Sequence, residues 1–478
     1  MTGIIILAAL ALFIGVIVFR AANFNPKPQK PAEPMEIDLD GKRAAEDLAK
    51  MIRCKTVSHS DEDKMDKTQF DAFKKLLNEL YPTVAAASRL SYPSKTGILY
   101  RIKGKSGEKR GAVFMSHYDV VPADEAAWEK PAFEGIIEDG YLWGRGTLDT
   151  KGTLCGVMEA AEYLLSRGFV PENDIYLAFS GEEELAGQTA PDMVKMFEDE
   201  GIALDFVIDE GGAVVDNIFP GVSKPCALVG INEKGIMDAR FDITSAGGHA
   251  SAPPAHTLVG EIADAICKIE NNPFPMQITK PVAEMFDTLG RHSTFLYKII
   301  FANLWCFKPV LNMLCKKSGG ELNALVRTTV AFTMCGASMA SNVLANEAYA
   351  VANLRLCGED TTASAIERLK QTIKNERITV TKLHGTDPCN TSSTDCEQWE
   401  KLKSAISQTW PDALVSPYMM IAASDSRHYS RISDRVYRFS CMALTKEERG
   451  YIHGNNERIP LGKIADTAKF YVRLMSRF

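Results

Sequence analysis

Two hydrophobic periods alternate along this chain. Short apolar runs at 97–103, 112–116, 174–180 and 206–209 read as buried strands. Between them, over 150–167 and about 191–200, apolar residues recur every third or fourth position, the spacing of a helix face. The stretches 41–54 and 69–81 carry the same helical spacing ahead of the first strand. Strands that are apolar throughout, separated by helices, predict an α/β fold with a mostly parallel central sheet covered on both faces.

From about residue 226 the pattern changes. Residues 235–244 alternate apolar and polar, as a strand with one wet face does. A helix at 257–271, strands at 328–334 and 348–356, a helix at 361–375 and a strand at 378–383 complete the order β-α-β-β-α-β of a small α+β unit. From 387 the α/β pattern resumes. The expected organisation is a larger domain made of 38–225 and 387–478, interrupted by an inserted unit at 226–386. A chain of 478 residues exceeds what one core supports, which agrees with two domains. Inside the inserted unit, 295–314 is rich in Phe, Leu, Ile and Trp but broken by Lys298 and Lys308. It reads as an amphipathic helix, packed on the core or facing lipid, before a second membrane span.

The first residues are of another kind. From Gly3 to Phe19 the chain is uninterrupted apolar sequence ended by Arg20, and about 17 residues is the lower limit for a helix that spans a bilayer. Met1-Thr2 lacks the basic start of a cleaved signal. Residues 1–22 are therefore expected to be a membrane anchor, and 23–37 a proline-rich tether. Arg20, Lys27 and Lys30 follow the span, which by the positive-inside rule puts the body in the cytoplasm. A secreted or extracytoplasmic body, with cleavage near Ala21-Ala22, is the alternative. Eleven cysteines without a CxxC pair read as reduced thiols, in agreement with a cytoplasmic body. The net charge of −7 argues against nucleic acid as a partner.

Polar residues gather where the apolar runs stop. His117 and Asp119 follow one strand, Glu182-Glu183-Glu184 another, and Asp209-Glu210 a third; Asp149 precedes a helix and His453 lies in a loop near the C-terminus. Separately, Asp149 would be a helix cap and the glutamates a solvated helix start. In a parallel sheet, however, these strand ends share one edge. So many carboxylates would repel one another there without a cation. Nitrogen and oxygen donors suit divalent ions of the zinc class, and a carboxylate such as Asp149 can bridge two of them about 3.5–4 Å apart.

The series Ser116-His117-Tyr118-Asp119, Gly144-Arg145-Gly146-Thr147-Leu148-Asp149, Glu183-Glu184, Asp209-Glu210-Gly211-Gly212 and His453-Gly454-Asn455-Asn456-Glu457 resembles the M20 metallopeptidase family from about Asp38 to the end. With Ala302-Asn303-Leu304-Trp305 and Asp425-Ser426-Arg427-His428-Tyr429, it is similar to that family's carboxypeptidase S and N-fatty-acyl-amino-acid synthase/hydrolase group. The resemblance implies a zinc-peptidase-like catalytic domain, with the inserted βαββαβ unit as a lid or dimerisation domain. It implies two divalent metal ions, Zn²⁺ by family habit, bridged by Asp149 and completed by His117 and Glu210 on one side and Glu184 and His453 on the other. Glu183 would be the general base and Asp119 would orient His117. The register rests on Leu185-Ala186-Gly187, which leaves Glu182 outside. In the lid, His249 would stabilise the oxyanion, Asn342 would contact substrate, and Arg355 would hold a substrate carboxylate. Leu344-Ala345 and Cys357-Gly358 depart from the family pattern around those residues. A cis peptide after Asp149 is also expected.

The implied activity is hydrolysis, in principle reversible, of the amide in an N-acyl amino acid or small peptide, releasing an amino acid with a free carboxylate. A possible homodimer would form through the inserted unit. A metal-free binding or scaffold protein is the alternative from another class. An aminopeptidase is disfavoured because Arg355 calls for an anion.

Overall fold

A computed structural model of the chain describes residues 1–28 and 35–478. Its larger body is built on an eight-stranded sheet in the order Ser88–Ser91, Ile98–Ile102, Asp174–Ser180, Arg110–His117, Ala203–Val215, Val436–Ala443, Cys226–Glu233, Leu414–Met420. The four strands from Asp174–Ser180 to Val436–Ala443 run parallel, and antiparallel junctions close them off on either side, so the sheet is mixed. Alternation along a strand sends side chains to opposite faces. Ala112 and Phe114 enter the main core with Leu154, Met158 and Tyr471, whereas Val113 and Met115 meet Ala190, Met193 and Phe197 on the other face. The helices Lys151–Leu165 and Leu461–Met475 pack together on the first face, and Thr189–Glu200 covers the second.

One strand differs from expectation. Ala203–Val215 continues well past Asp209 instead of ending there. Opposite it, Arg438 pairs with Asp209 and Phe439 with Gly212, so Glu210 and Gly211 bulge out of the ladder. Gly211 has φ +149°, and a Cβ on Gly212 would stand 1.8 Å from the Leu228 carbonyl oxygen. Two glycines therefore let the strand carry Glu210 sideways and still pair onward.

The smaller sheet has the order Thr329–Gly336, Glu347–Leu356, Gly235–Thr244, Thr379–Thr386, all antiparallel. Met237, Ala239, Phe241 and Ile243 alternate into its core under the helices Leu258–Asn271 and Thr362–Ile373. This unit starts at Gly235, because Cys226–Glu233 belongs to the larger sheet. The helices between Lys280 and Leu325 also leave it. Val282, Met285, Phe286, Leu289, Phe301, Leu311 and Leu325 join the larger core. The stretch expected as one inserted unit thus contributes to both bodies.

The helix Thr2–Ala22, with a mean hydropathy of 2.9, is long and apolar enough to cross a membrane. Part of the expected tether, including Lys30, lies outside the described residues. Asn23 to Pro28 run on from the helix, and Lys27 pairs with Asp287 at 2.8 Å. The eleven cysteines are free thiols.

Beside the bulge, fully buried Arg438 donates to Glu233, which also accepts the Ser424 and Ser426 hydroxyls at 3.0 Å each. Removing only the cation strands a buried carboxylate. Arg438→Met is expected to lower stability in chemical denaturation by about 3–5 kcal/mol, and the added change Glu233→Gln should recover part of the loss. Equal stability of Arg438→Met and the parent would contradict this role.

Candidate metal centre

His117 ends the strand Arg110–His117 with its ring buried. Its Nδ1 donates to the Asp119 carbonyl oxygen at 3.0 Å, which leaves Nε2 directed at the acids of the centre. Nε2 lies 3.0 Å from Asp149 Oδ1 and 3.4 Å from Glu210 Oε1. The other oxygen of the same carboxylate, Asp149 Oδ2, lies 3.0 Å from His453 Nε2, which is 3.1 Å from Glu184 Oε2. Asp149 therefore presents one oxygen to each histidine. The donor atoms of His117, Asp149 and Glu184 lie within 4.8 Å of one another, as do those of His117, Glu183 and Glu210. The Asp149–Thr150 peptide is cis.

The acids that do not face this centre hold it. Asp119 is fully buried and accepts the backbone N–H groups of Glu183 and Glu184, each at 3.2 Å. Its carboxylate thereby fixes the single turn Glu183–Leu185, and lies 3.4 Å from His117 Nδ1. Glu182 turns away, accepting the Thr96 hydroxyl at 2.9 Å and the Gln188 N–H at 3.1 Å. Glu457, also fully buried, accepts from Arg145 (2.7 Å) and from the N–H groups of Gly146 (3.0 Å), Leu148 (2.8 Å) and Asp149 (3.2 Å). Arg145 donates in addition to the Gly454 carbonyl at 2.9 Å. The loop carrying Asp149 and the loop carrying His453 are locked as one unit. In the sequence Glu457 and Arg145 are visible only as parts of motifs; an acid and an arginine in two Gly-rich loops are the signal that marks such a pair.

The charge balance of the cluster points to a cation. Burial, and then the charge of Asp149, pushes Glu210 up to about 8. Burial and the Glu210 charge hold Glu183 well above the ordinary carboxylate range. Asp425, behind it, is pushed up to about 7 by burial and by Asp209. Hydrogen bonds to Asp149 and Glu184 push His453 up to about 10. Burial opposes the opposite shift at Asp149, but His117 and His453 hold it below the usual range. Acids that keep protons and a histidine that will not release its own are what a cluster of anions does without compensating positive charge. Two imidazoles and two carboxylates around a shared acid fit a pair of divalent ions.

The centre forms one end of a cavity of about 500 Å³. Asp149, Glu183, Glu184, Glu210 and His453 line that end, and Val215, Phe219, Leu228, Met285, Leu322 and Leu325 are among the apolar residues lining the rest. The three residues expected in a lid, His249, Asn342 and Arg355, are not part of it. His249 and Asn342 stand together at an exposed two-stranded ribbon, where the Ala250 N–H donates to the Asn342 carbonyl at 3.1 Å. Arg355 lies on Glu347–Leu356; burial lowers its pKa, with Asp238 opposing and Arg427 adding to the shift.

Comparison with known proteins gives three consistent findings. The family model described as Peptidase family M20/M25/M40 matches residues 113–477. A probable carboxypeptidase S-like protein of Dictyostelium discoideum is 34% identical over 97% of this chain and 92% of its own length. An N-fatty-acyl-amino acid synthase/hydrolase of Xenopus tropicalis is 35% identical over 92% of this chain and 86% of its own. Among solved structures, an M20 family metallo-carboxypeptidase from Sulfolobus solfataricus shares the fold with a TM-score of 0.67, at 16% identity over 91% of this chain and 98% of that one.

Divalent ions must displace the protons that the cluster keeps near neutrality. With Glu210 near 8 and His453 near 10, both groups are protonated at neutral pH in the metal-free protein. Metal binding should then release protons and tighten as pH rises through 8 towards 10. Calorimetric titration of metal-free protein in buffers of different ionisation enthalpy reads this directly. Binding at pH 7 without proton release would contradict the electrostatic picture.

Proposed function

The chain belongs to peptidase family M20/M25/M40, and from that premise we propose that it hydrolyses the amide bond of N-acyl amino acids with long aliphatic acyl chains. The observation that carries the acyl preference is the apolar cavity opening from the acidic centre. Its volume falls in the range of small-molecule sites, and most of its lining away from the centre is apolar, with the Arg449–Glu321 ion pair the charged exception.

His117 and Glu210 would hold one divalent cation, Glu184 and His453 the other, and Asp149 both, with zinc the ion best suited to these donors. Bound there, such ions lend Lewis acidity to a carbonyl and lower the pKa of water. The remaining work falls to this chain's own groups. Glu183 stands beside the cluster, and its carboxylate carries no hydrogen bond from any described residue. As the water oxygen bonds to the carbonyl carbon, Glu183 takes the water's proton. As the C–N bond breaks, it gives that proton to the departing nitrogen, leaving a fatty acid and a free amino acid. Run backwards, the same proton route joins the two products.

Arg355, with Arg427 nearby, would hold the α-carboxylate of the amino acid, a role suited to a guanidinium fork. His249 would meet the developing oxyanion and Asn342 the substrate after the smaller body closes, within the chain or across a homodimer formed through that body. The helix Thr2–Ala22 would anchor the protein in a membrane.

Three outcomes test this reading. Across an N-acyl amino acid series, kcat/KM is expected to rise about fourfold per added methylene, from roughly 0.8 kcal/mol of burial each, until the cavity is full. Leu322→Trp should shift the preferred chain to a shorter length without changing turnover of short acyl substrates. A flat series, or a preference for dipeptides, would favour an exopeptidase using the same chemistry. Glu183→Gln should lower kcat by about 10²–10⁴-fold with metal content retained, while Glu184→Gln should lose metal. The reverse result would move the register by one residue.

A further inference from the structure

Thr2–Ala22 is joined to the body along its last turns. Arg20 donates from Nε and Nη2 to the Ala302 carbonyl at 3.1 and 3.0 Å. Fully buried Asn303 donates to the Ile17 carbonyl at 3.1 Å. Phe13 and Trp305 meet edge to face with ring centroids 5.8 Å apart. Beyond the helix, the Arg291 guanidinium lies over the Phe24 ring and donates to the Asn25 carbonyl at 3.0 Å.

The partner surface is a bent pair of helices, Phe295–Phe301 and Leu304–Lys317, which meet at 105°. Phe301, Ala302, Asn303, Leu311 and Cys315 point inward and are buried. Outward, the pair exposes Phe295, Leu296 (69%), Trp305 (59%), Val310, Met313 (60%) and Leu314. So much apolar surface on neighbouring turns marks an interaction site. Beside it opens a cavity of about 600 Å³ lined by Trp305, Lys308, Lys316, Arg327 and Arg368, with no carboxylate among its lining residues. In a chain with a net charge of −7, that is a local concentration of positive charge. An apolar stripe flanked by lysines is the pattern of a helix lying in a membrane interface.

Depth follows from the contacts. With Arg20 at the headgroup level, the residues before it give about 27 Å of helix at 1.5 Å per residue, enough to cross the hydrocarbon. Phe13 then sits about 10 Å below Arg20, and Trp305 goes with it. A span by Thr2–Ala22 cannot leave the bent pair in water.

We propose that the bent pair Phe295–Phe301 and Leu304–Lys317 is embedded in the interface of the leaflet that Thr2–Ala22 enters, with its cationic cavity against anionic phospholipid headgroups. The inference rests on the membrane-span reading of Thr2–Ala22. It also brings lipid close to the acyl cavity. Phe219, which lines that cavity, packs on Phe301 of the bent pair with centroids 4.7 Å apart.

The full chain, reconstituted in vesicles of phosphatidylcholine and phosphatidylserine brominated near the headgroup end of the acyl chain, gives the test. The expected result is cofloatation with the vesicles together with bromolipid quenching of tryptophan emission, and loss of that quenched component in Trp305→Phe. Trp305 should resist aqueous iodide. A chain that floats while Trp305 stays unquenched by bromolipid, whether open to iodide or covered by a second copy, overturns the inference and leaves the anchor standing. A chain that does not float overturns both.

Discussion

The carboxylate of Asp149 faces a histidine on each side, and the site depends on keeping it there. His117 comes from a central strand and His453 from a loop near the C-terminus, so neither constrains the other directly. The constraint is supplied by Glu457, which gathers the N–H groups of Gly146, Leu148 and Asp149 and the Arg145 guanidinium, 312 residues away in the chain. A buried acid with that many donors is satisfied without a metal. Asp119 does the same for the turn carrying Glu183 and Glu184. The two acids that hold the loops are thus spent on backbone, and the acids facing the centre are left short of positive charge.

That division explains how one edge of a sheet can serve both polar chemistry and apolar recognition. The bulge at Glu210-Gly211 turns one carboxylate to the centre while the strand runs on to Val215, whose side chain lines the apolar cavity. The cavity's far wall comes from Met285, Leu322 and Leu325, on helices that leave the smaller body and pack on the larger one. Those helices flank the bent pair that receives Thr2–Ala22. Centre, apolar cavity and apolar helix are therefore consecutive layers of one packed structure.

Much of the centre was legible in the sequence, because each acidic or imidazole residue sits where an apolar run stops and a period-two pattern sets its direction. The register taken from Leu185-Ala186-Gly187 leaves Glu182 outside, and in the structure Glu182 accepts from Thr96 and Gln188. The strand through Glu210 reads short because a bulge breaks alternation at its glycines. Cys226–Glu233 reads as the start of the inserted unit because an apolar strand looks the same in either sheet. The apolar cavity has no periodic signature at all, since its lining comes from many separate segments. His249, Asn342 and Arg355 can be picked out by motif, but a motif carries no information about how far the smaller body stands from the centre.

The central claim is that Asp149 is shared by two ions. Crystals of the chain grown with zinc and measured at the zinc absorption edge test it most directly. The account predicts two anomalous peaks, each about 2 Å from a different oxygen of Asp149, one beside His117 and one beside His453. A single peak, or two peaks of which one does not touch Asp149, would contradict it.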